Sequence, residues 1–343
     1  MSVVLVTGGA GYIGSHAVMA LAAAGYDVVV YDDLSNGHRE AVDLVRHAFP
    51  SRSIRLVCGD VGDAAAVEGA LRESAATAVL HFAARISVGE SVARPVEYYR
   101  TNVMGTFTVL GAMAKLGVRR FVFSSTAATF GEPLDTPIAE DHPQRPISPY
   151  GETKLTIERA LPHVERATGL QWMVLRYFNA AGADPSGLIG EAHHPEEHLI
   201  PLAFAATLGG PALTVFGDDY PTPDGTCIRD YVHVTDLADA HVAALRALEA
   251  SVPSAAYNLG SGEGTSVRSL LASVERVTGR PVPHHVGPRR AGDPARLVAS
   301  SDRIKRELAW SPRLDALDTI VDTAWQWHRQ YPDGYSGRVS ERI

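Results

Sequence analysis

A glycine-rich turn constrains this chain more than any other feature. The run Thr7-Gly8-Gly9-Ala10-Gly11-Tyr12-Ile13-Gly14 follows a short apolar stretch at residues 3–6 and opens an apolar helical stretch at 11–24 that Gly25 closes. It fits G-x-G-x-x-G through Gly9, Gly11 and Gly14, and G-x-x-G-x-x-G through Gly8, Gly11 and Gly14. Positions without side chains let the backbone turn tightly from strand to helix and approach a pyrophosphate, whose charge rests on the helix N-terminus. The next strand-like run, 27–31, ends in Asp32-Asp33, 18 residues beyond Gly14. A carboxylate there accepts from a ribose 2′-hydroxyl and repels a 2′-phosphate, so the expected ligand is NAD rather than NADP.

The rest of the first half repeats the alternation. Strand-like runs at 54–58, 78–82 and 120–123 are separated by helical stretches at 37–48, 64–74 and 96–116, and a helix at 149–168 precedes a sixth strand at 172–176. Nearly continuous apolar strands spaced by helices predict an α/β fold, a Rossmann-like doubly wound parallel sheet covered on both faces. From about residue 180 the texture becomes rich in Gly, Pro, His and Asp, as in loops laid over the end of a sheet. A helix at 235–249 and a strand at 256–259 then bring the chain back. The expected division is a dinucleotide-binding domain at 1–179, with return segments near 230–262, and a smaller C-terminal α/β substrate domain at 180–343.

Composition removes other classes. Among 343 residues, 31 basic side chains face 39 acidic ones, a formal net charge of −8, which disfavours nucleic acid and anionic membranes as partners. Two cysteines, Cys58 and Cys227, exclude a disulfide framework and a cysteine zinc site. The longest apolar stretch, 17–24, falls far short of the ~20 residues that span a bilayer. A soluble, cytoplasmic protein is expected. His194-Pro195-Glu196-Glu197-His198 spells H-x-x-E-H, but Pro195 and loop-like surroundings oppose the helix that motif requires, so no metal is expected. His81, at a strand end, reads as a structural histidine.

Only three of the 31 basic residues are lysines, and one of them, Lys154, follows Tyr150 by four positions at the start of a helix. That spacing puts both on one helical face. A phenol titrates near 10 unperturbed, and a neighbouring ammonium or a cationic nicotinamide lowers it, making a base useful near neutrality. The strand end Ser124-Ser125-Thr126 adds hydroxyls at the carboxyl edge of the sheet, where such folds bind ligands.

These blocks, in order, resemble the extended short-chain dehydrogenase/reductase family and within it the UDP-galactose (UDP-glucose) 4-epimerases. The resemblance runs through residues 7–16, His-Phe-Ala-Ala at 81–84, Val-Gly-Glu-Ser at 88–91 and Ser-Pro-Tyr-Gly at 148–151. It continues through Leu-Arg-Tyr-Phe-Asn at 175–179, residues 225–234, Tyr-Asn-Leu-Gly at 257–260 and Arg-Arg-Ala-Gly-Asp at 289–293. It implies NAD-dependent C4 epimerisation through a transient 4-keto sugar, with Tyr150 as base, Lys154 as its electrostatic partner and a ribose ligand, both of them touching the cofactor, and Thr126 on the sugar 4-hydroxyl. Around NAD it implies Gly8, Gly11, Tyr12, Ile13, Gly14, Asp32, Asp33, Leu34, Ser35, Asn36, Gly37, Asp60, Val61, Phe82, Ala83, Ala84, Arg85, Asn102, Ser124 and Phe178. Thr101 and Ile86 stand where relatives often carry an asparagine and a polar or cationic residue. Around a UDP-sugar it implies Asn179, His198, Leu199, Thr214, Val215, Phe216, Arg229, Arg290, Asp293 and Leu297, the last a small wall residue that leaves room for an N-acetylated sugar. A related UDP-sugar 4-epimerase acting on UDP-N-acetylglucosamine or a UDP-pentose, or a non-catalytic NAD-sensing regulator, are the alternatives. A sugar dehydratase would carry Asp-Glu where this chain has Ala127-Ala128. The resemblance also implies a homodimer paired through helices near 96–116 and 149–168.

Overall fold

A computed structural model describes residues 2–290 and 293–337. Ala291 and Gly292 of the Arg-Arg-Ala-Gly-Asp block lie outside the described residues, as do 338–343 of the expected second domain. β1 (Val3–Thr7), α1 (Tyr12–Ala23), β2 (Asp27–Asp32), α2 (Arg39–Ala48) and β3 (Ile54–Cys58) come first. α3 (Ala64–Ser74), β4 (Ala78–His81) and α4 (Val88–Ala93) follow. One long helix then runs as α5 (Pro95–Tyr98), a π-helical segment (Tyr99–Met104) and α6 (Gly105–Leu116), leading to β5 (Arg120–Thr126). α7 (Pro149–Thr168) and β6 (Gln171–Tyr177) close the first half.

The second half begins with β7 (Asn179–Ala181), α8 (Leu199–Thr207), β8 (Leu213–Phe216), β9 (Ile228–Arg229) and β10 (Tyr231–His233). α9 (Val234–Glu249), β11 (Ala255–Leu259), β12 (Thr265–Ser266) and α10 (Val267–Thr278) come next. β13 (His284–Gly287), β14 (Arg296–Leu297), α11 (Asp302–Leu308) and α12 (Leu317–Gln330) complete it.

Seven strands make one sheet in the order β11-β6-β5-β4-β1-β2-β3, with every neighbour parallel. Alternation along each strand builds two cores. Val4, Val6, Val28, Val30 and Leu80 face Val18 and Leu21 of α1 and Leu237 and Leu245 of α9. Leu5, Val29, Val79, Phe121 and Phe123 face Leu71 of α3, Val109 and Met113 of α6, and Ile157 and Leu161 of α7. Strand order reverses between β1 and β4, and a crevice at the carboxyl ends of strands on either side of such a reversal is where these sheets bind ligands.

A third core joins α8, β8, α10 and α12 through Phe204, Leu213, Val215, Leu270 and Ile320. α12 belongs to two cores, since Trp325 sits in this one and Trp327 in that of α1 and α9. The second lobe is thereby fastened directly to the first. No described helix is long and apolar enough to cross a membrane.

Candidate active site

The glycine turn is shaped by contacts that leave no room for side chains. Gly8 has φ +68°, and a Cβ there would lie 2.5 Å from the Ala83 nitrogen; on Gly14 it would lie 2.1 Å from the Gly8 carbonyl oxygen. A Cβ on Gly11 would meet only the Gly8 oxygen, at 3.4 Å, so the space before α1 stays open. Gly11 is also the N-cap of α1 and brings no side-chain cap, which leaves the first-turn N–H groups available to an anion. The exit of β4 is strapped alongside, because the Phe82 and Ala83 nitrogens both donate to the Thr7 carbonyl, at 2.9 and 3.1 Å.

Asp32 closes one end of this cradle. It is buried, and burial raises its pKa while N–H donors from Ala10 and Leu34, each at 2.9 Å, pull it back. Gly37 is required beside it, since a Cβ there would come within 2.7 Å of the carboxylate. Asp33 is exposed and turns outward to the Ser35 amide and hydroxyl, and Asn36 is exposed as well. Val61 is buried; Asp60 is exposed, with its carboxylate on the Gly62 amide. Ile13 packs against the first core and Phe178 is half-buried. An open uncapped helix start, an inward carboxylate and a close-packed glycine turn fit a dinucleotide.

Two expected cofactor residues have other commitments. The Tyr12 hydroxyl donates to the Gly182 carbonyl at 2.6 Å, so only its ring and backbone remain for a ligand. Asn102 sits in the π-helical segment with its side chain spent on protein: its oxygen accepts from the Arg85 amide at 2.8 Å, and its NH2 donates to the Arg85 carbonyl and to Thr153. It braces the loop that carries Ala84 and Arg85. The Arg85 side chain pairs with Glu90 and Glu97. His81 is locked between the Thr7 and Thr106 hydroxyls, and burial lowers its pKa to about 3, which makes it a neutral structural group.

α7 carries the expected Tyr150/Lys154 pair. Ser148 caps it by accepting from the Gly151 amide, Pro149 occupies the first turn, and a Cβ on Gly151 would lie 2.4 Å from the Ala128 carbonyl. The helix start is thus pressed onto the end of β5. Lys154 is buried, donates to the Ser124 carbonyl at 2.9 Å and lies 4.9 Å from the Phe123 ring centre. Burial lowers its pKa to about 7, against the opposing charge of Glu158 one turn on. Burial pushes the Tyr150 phenol up to about 12, and the Thr126 hydroxyl draws it part of the way back. The expected lowering of Tyr150 by an ammonium is therefore absent from the protein atoms alone, because desolvation dominates both groups. Ser124 bonds the Tyr177 hydroxyl.

Behind this pair lies a buried ion pair, Glu158 with Arg176, that stands outside the expected site residues. Glu158 receives the Arg176 fork at 2.7–3.1 Å, the Ser125 hydroxyl at 2.5 Å and Gln144 at 2.9 Å. The available signal was its spacing, four residues after Lys154. Tyr177 was equally legible, inside the Leu-Arg-Tyr-Phe-Asn block.

The second lobe gathers most of the remaining residues. On β8, Thr214 and Phe216 are half-buried on one side, whereas Val215 points into the third core and offers a ligand only its backbone. The Arg290 guanidinium lies 4.0 Å over the Phe216 ring. Arg229 is paired with Asp293 and bonds the Pro294 carbonyl, and Leu297 lies beside it in the β9–β14 register. Asn179 starts β7, with its amide on the Asp230 carbonyl. His198 stands at the N-cap position of α8 without a side-chain capping bond, and Leu199 begins the helix. The His198 ring is turned to Glu191, whose own burial raises its carboxyl but is outweighed by His198 and His193, which hold it low.

Comparison with known proteins matches residues 4–260 to the NAD dependent epimerase/dehydratase family. The chain belongs to that family. A curated UDP-glucose 4-epimerase from Halalkalibacterium halodurans is 48% identical over 334 residues, 97% of either chain. The crystal structure of UDP-glucose 4-epimerase from Brucella ovis in complex with NAD is 48% identical with TM-score 0.90, covering 95% of this chain and 98% of that one. A structure of UDP-glucose-4-epimerase from Stenotrophomonas maltophila, with bound NAD and formylated UDP-arabinopyranose, is 42% identical with TM-score 0.93, covering 97% and 99%. Membership accounts for the pairing of an NAD-type cradle with a Tyr/Lys helix start on one sheet edge.

The buried lysine gives this family member a defined pH signature. Its folded pKa lies below the unfolded value of about 10.4, so the unfolded chain binds more protons between about pH 7 and 10.4 and stability rises with pH across that window. Lys154→Met is expected to remove this rise and to be more stable than the parent near pH 6–7. Urea unfolding of the cofactor-stripped proteins from pH 6 to 9 measures it; parallel curves for parent and variant contradict the assignment.

Proposed function

We propose that this chain is an NAD-dependent epimerase that interconverts UDP-glucose and UDP-galactose by inverting C4. The observation that carries the reading is the enclosed group of Tyr150, Lys154, Ser124 and Thr126 beside a dinucleotide cradle, in a chain 48% identical across 97% of its length to a UDP-glucose 4-epimerase. NAD, when bound, supplies the hydride acceptor and donor for C4. The residues that would hold it are Gly8, Gly11, Gly14, Asp32 and the backbone at Phe82 to Arg85. Tyr150 takes the proton of the 4-hydroxyl as C4 becomes a ketone, and returns it when the ketone is reduced on its other face. Thr126 holds the 4-oxygen next to the phenol. Lys154, protonated, lowers the cost of the phenolate, which burial otherwise opposes.

Inverting one carbon without releasing the ketone requires the sugar to turn while the nucleotide stays held. The second lobe fits that division. Arg229 and Arg290 supply guanidinium forks for a diphosphate. Thr214 and Phe216 offer a face to the uracil, and Asn179, His198 and Leu199 border the sugar. Asp293 holds Arg229 in place, and Leu297 leaves the wall open, which favours acceptance of an N-acetylated or pentose UDP-sugar as well. We divide the chain accordingly, with residues 1–179 and the return near 230–262 holding NAD and 180–343 mainly holding the UDP-sugar. A non-catalytic NAD sensor has no use for the retained Tyr150 and Lys154, and Ala127-Ala128 lacks the acid and base of a dehydratase.

A second copy of the chain is the partner we infer, paired through the helices near 96–116 and 149–168. Along the first of these and just before it, Val92, Val96, Met104 and Phe107 are large apolar side chains left 65, 70, 63 and 42% exposed, which a second copy would cover. A cytoplasmic location suits the exposed free Cys58.

Tyr150→Phe is expected to cut turnover of UDP-galactose by about 10²–10⁴-fold while NAD content after purification is unchanged; near-normal turnover would exclude Tyr150 as the base. Light scattering at micromolar protein is expected to give a dimer, and Val96→Asp with Met104→Asp a monomer. A monomeric parent contradicts the proposed interface.

A further inference from the structure

The H-x-x-E-H spelling at 194–198 forms no helix, and the fold selects a different set of groups from the same segment. His194 and Glu197 drop out. Glu191, His193, Glu196 and His198 converge instead, with one ligand atom from each lying within 4.8 Å of all the others. His193 Nδ1 is 3.2 Å from Glu191 Oε1 and 3.8 Å from Glu196 Oε1. His198 Nδ1 contacts the same Glu191 oxygen and is 3.9 Å from the same Glu196 oxygen. Bonds of 2.0–2.1 Å to a tetrahedral ion place ligand atoms about 3.3 Å apart, so the 3.2, 3.8 and 3.9 Å separations need to change by no more than about 0.6 Å, while the closer His198–Glu191 contact opens and the widest pair, at up to 4.8 Å, draws in.

The cluster is held from outside itself. Gly190, before Glu191, exchanges two hydrogen bonds of 3.0 Å with the Tyr335 hydroxyl, and the Ala192 carbonyl accepts from His38 at 3.0 Å. Tyr12 meets the His193 ring edge-on at 6.2 Å between centres. The Glu191 carboxylate is 7% exposed, with its oxygen aimed at both imidazoles. Two carboxylates cancel the charge of a divalent ion, and two imidazole nitrogens with two carboxylate oxygens form a closed four-coordinate set of the kind zinc takes.

We propose that Glu191, His193, Glu196 and His198 form a structural site for one divalent transition-metal ion, zinc by donor type. The ion would tie the 191–198 segment to the start of α8, and through the Tyr12 contact set it against α1. The inference does not depend on the epimerase reading, since it is tested by binding. Protonated imidazoles paired with the two carboxylates are the competing occupancy, and they leave no metal affinity.

The test uses the full chain with its NAD, stripped of metal by a chelator and titrated with zinc chloride by calorimetry at pH 7.5, with metal content read after desalting. About one zinc per chain is expected, and the melting temperature is expected to rise with zinc. His193→Asn and Glu196→Gln, both on partly exposed positions, are each expected to weaken binding at least about tenfold with unchanged circular dichroism and NAD content. His47→Asn, an exposed histidine elsewhere, is expected to change nothing. No binding tighter than about 1 mM in the parent, or equal zinc uptake by the His193 and Glu196 variants, overturns the proposal.

Discussion

An ammonium sealed inside the protein organises everything around it. Lys154 has a backbone carbonyl, that of Ser124, for its hydrogen bond and the Phe123 ring at its side. Holding a cation there requires α7 to sit directly on the end of β5, and the sequence supplies the means in a Ser cap, a first-turn proline and a glycine too close to Ala128 for any side chain. One turn further on, Glu158 supplies the compensating charge and is itself neutralised by Arg176 on β6. Tyr150, Lys154 and Glu158 follow at successive four-residue steps, so one helical face runs from the Tyr150 phenol to the buried ion pair. Leaving Arg176 without Glu158 would strand a charge, a loss of about 3–5 kcal/mol in comparable buried pairs.

Sheet order brings this helix face to the glycine turn. β1 and β4 flank the reversal, β5 lies next to β4, and all end at one edge. The turn after β1, the strap after β4 and the hydroxyls ending β5 are therefore neighbours without any long loop. Asn102 and His81 serve the same arrangement: the first fixes the loop after β4 and the second fills the space between Thr7 and Thr106. Neither needs to touch a ligand to matter.

Much of this was legible because it is local. Strand and helix positions followed from apolar runs, the return of the chain at 256–259 is the edge strand β11, and the Gly14-to-Asp32 spacing located the inward carboxylate. Contacts between distant segments were not. Nothing near Asn102 announces a partner at Arg85, the π-helical segment breaks no pattern, and Val215 looks like its neighbours until the third core claims it. An ammonium and a bound nicotinamide acidify Tyr150 in the reading from spacing; in the protein atoms alone burial, which no spacing reveals, pushes the phenol the other way. The 191–198 segment shows the same limit: the rejected helical motif says nothing of Glu191 and His193, which a loop brings beside Glu196 and His198.

The proposed epimerisation turns on a hydrogen that leaves C4 and returns to it without meeting solvent. UDP-galactose carrying deuterium at C4, incubated with the purified protein in ordinary water, tests it in a single mass and NMR measurement. UDP-glucose with the deuterium still on C4 is expected, because the hydride is held inside the site between its two transfers. Deuterium lost to water in the product, or no inversion at C4, would contradict it.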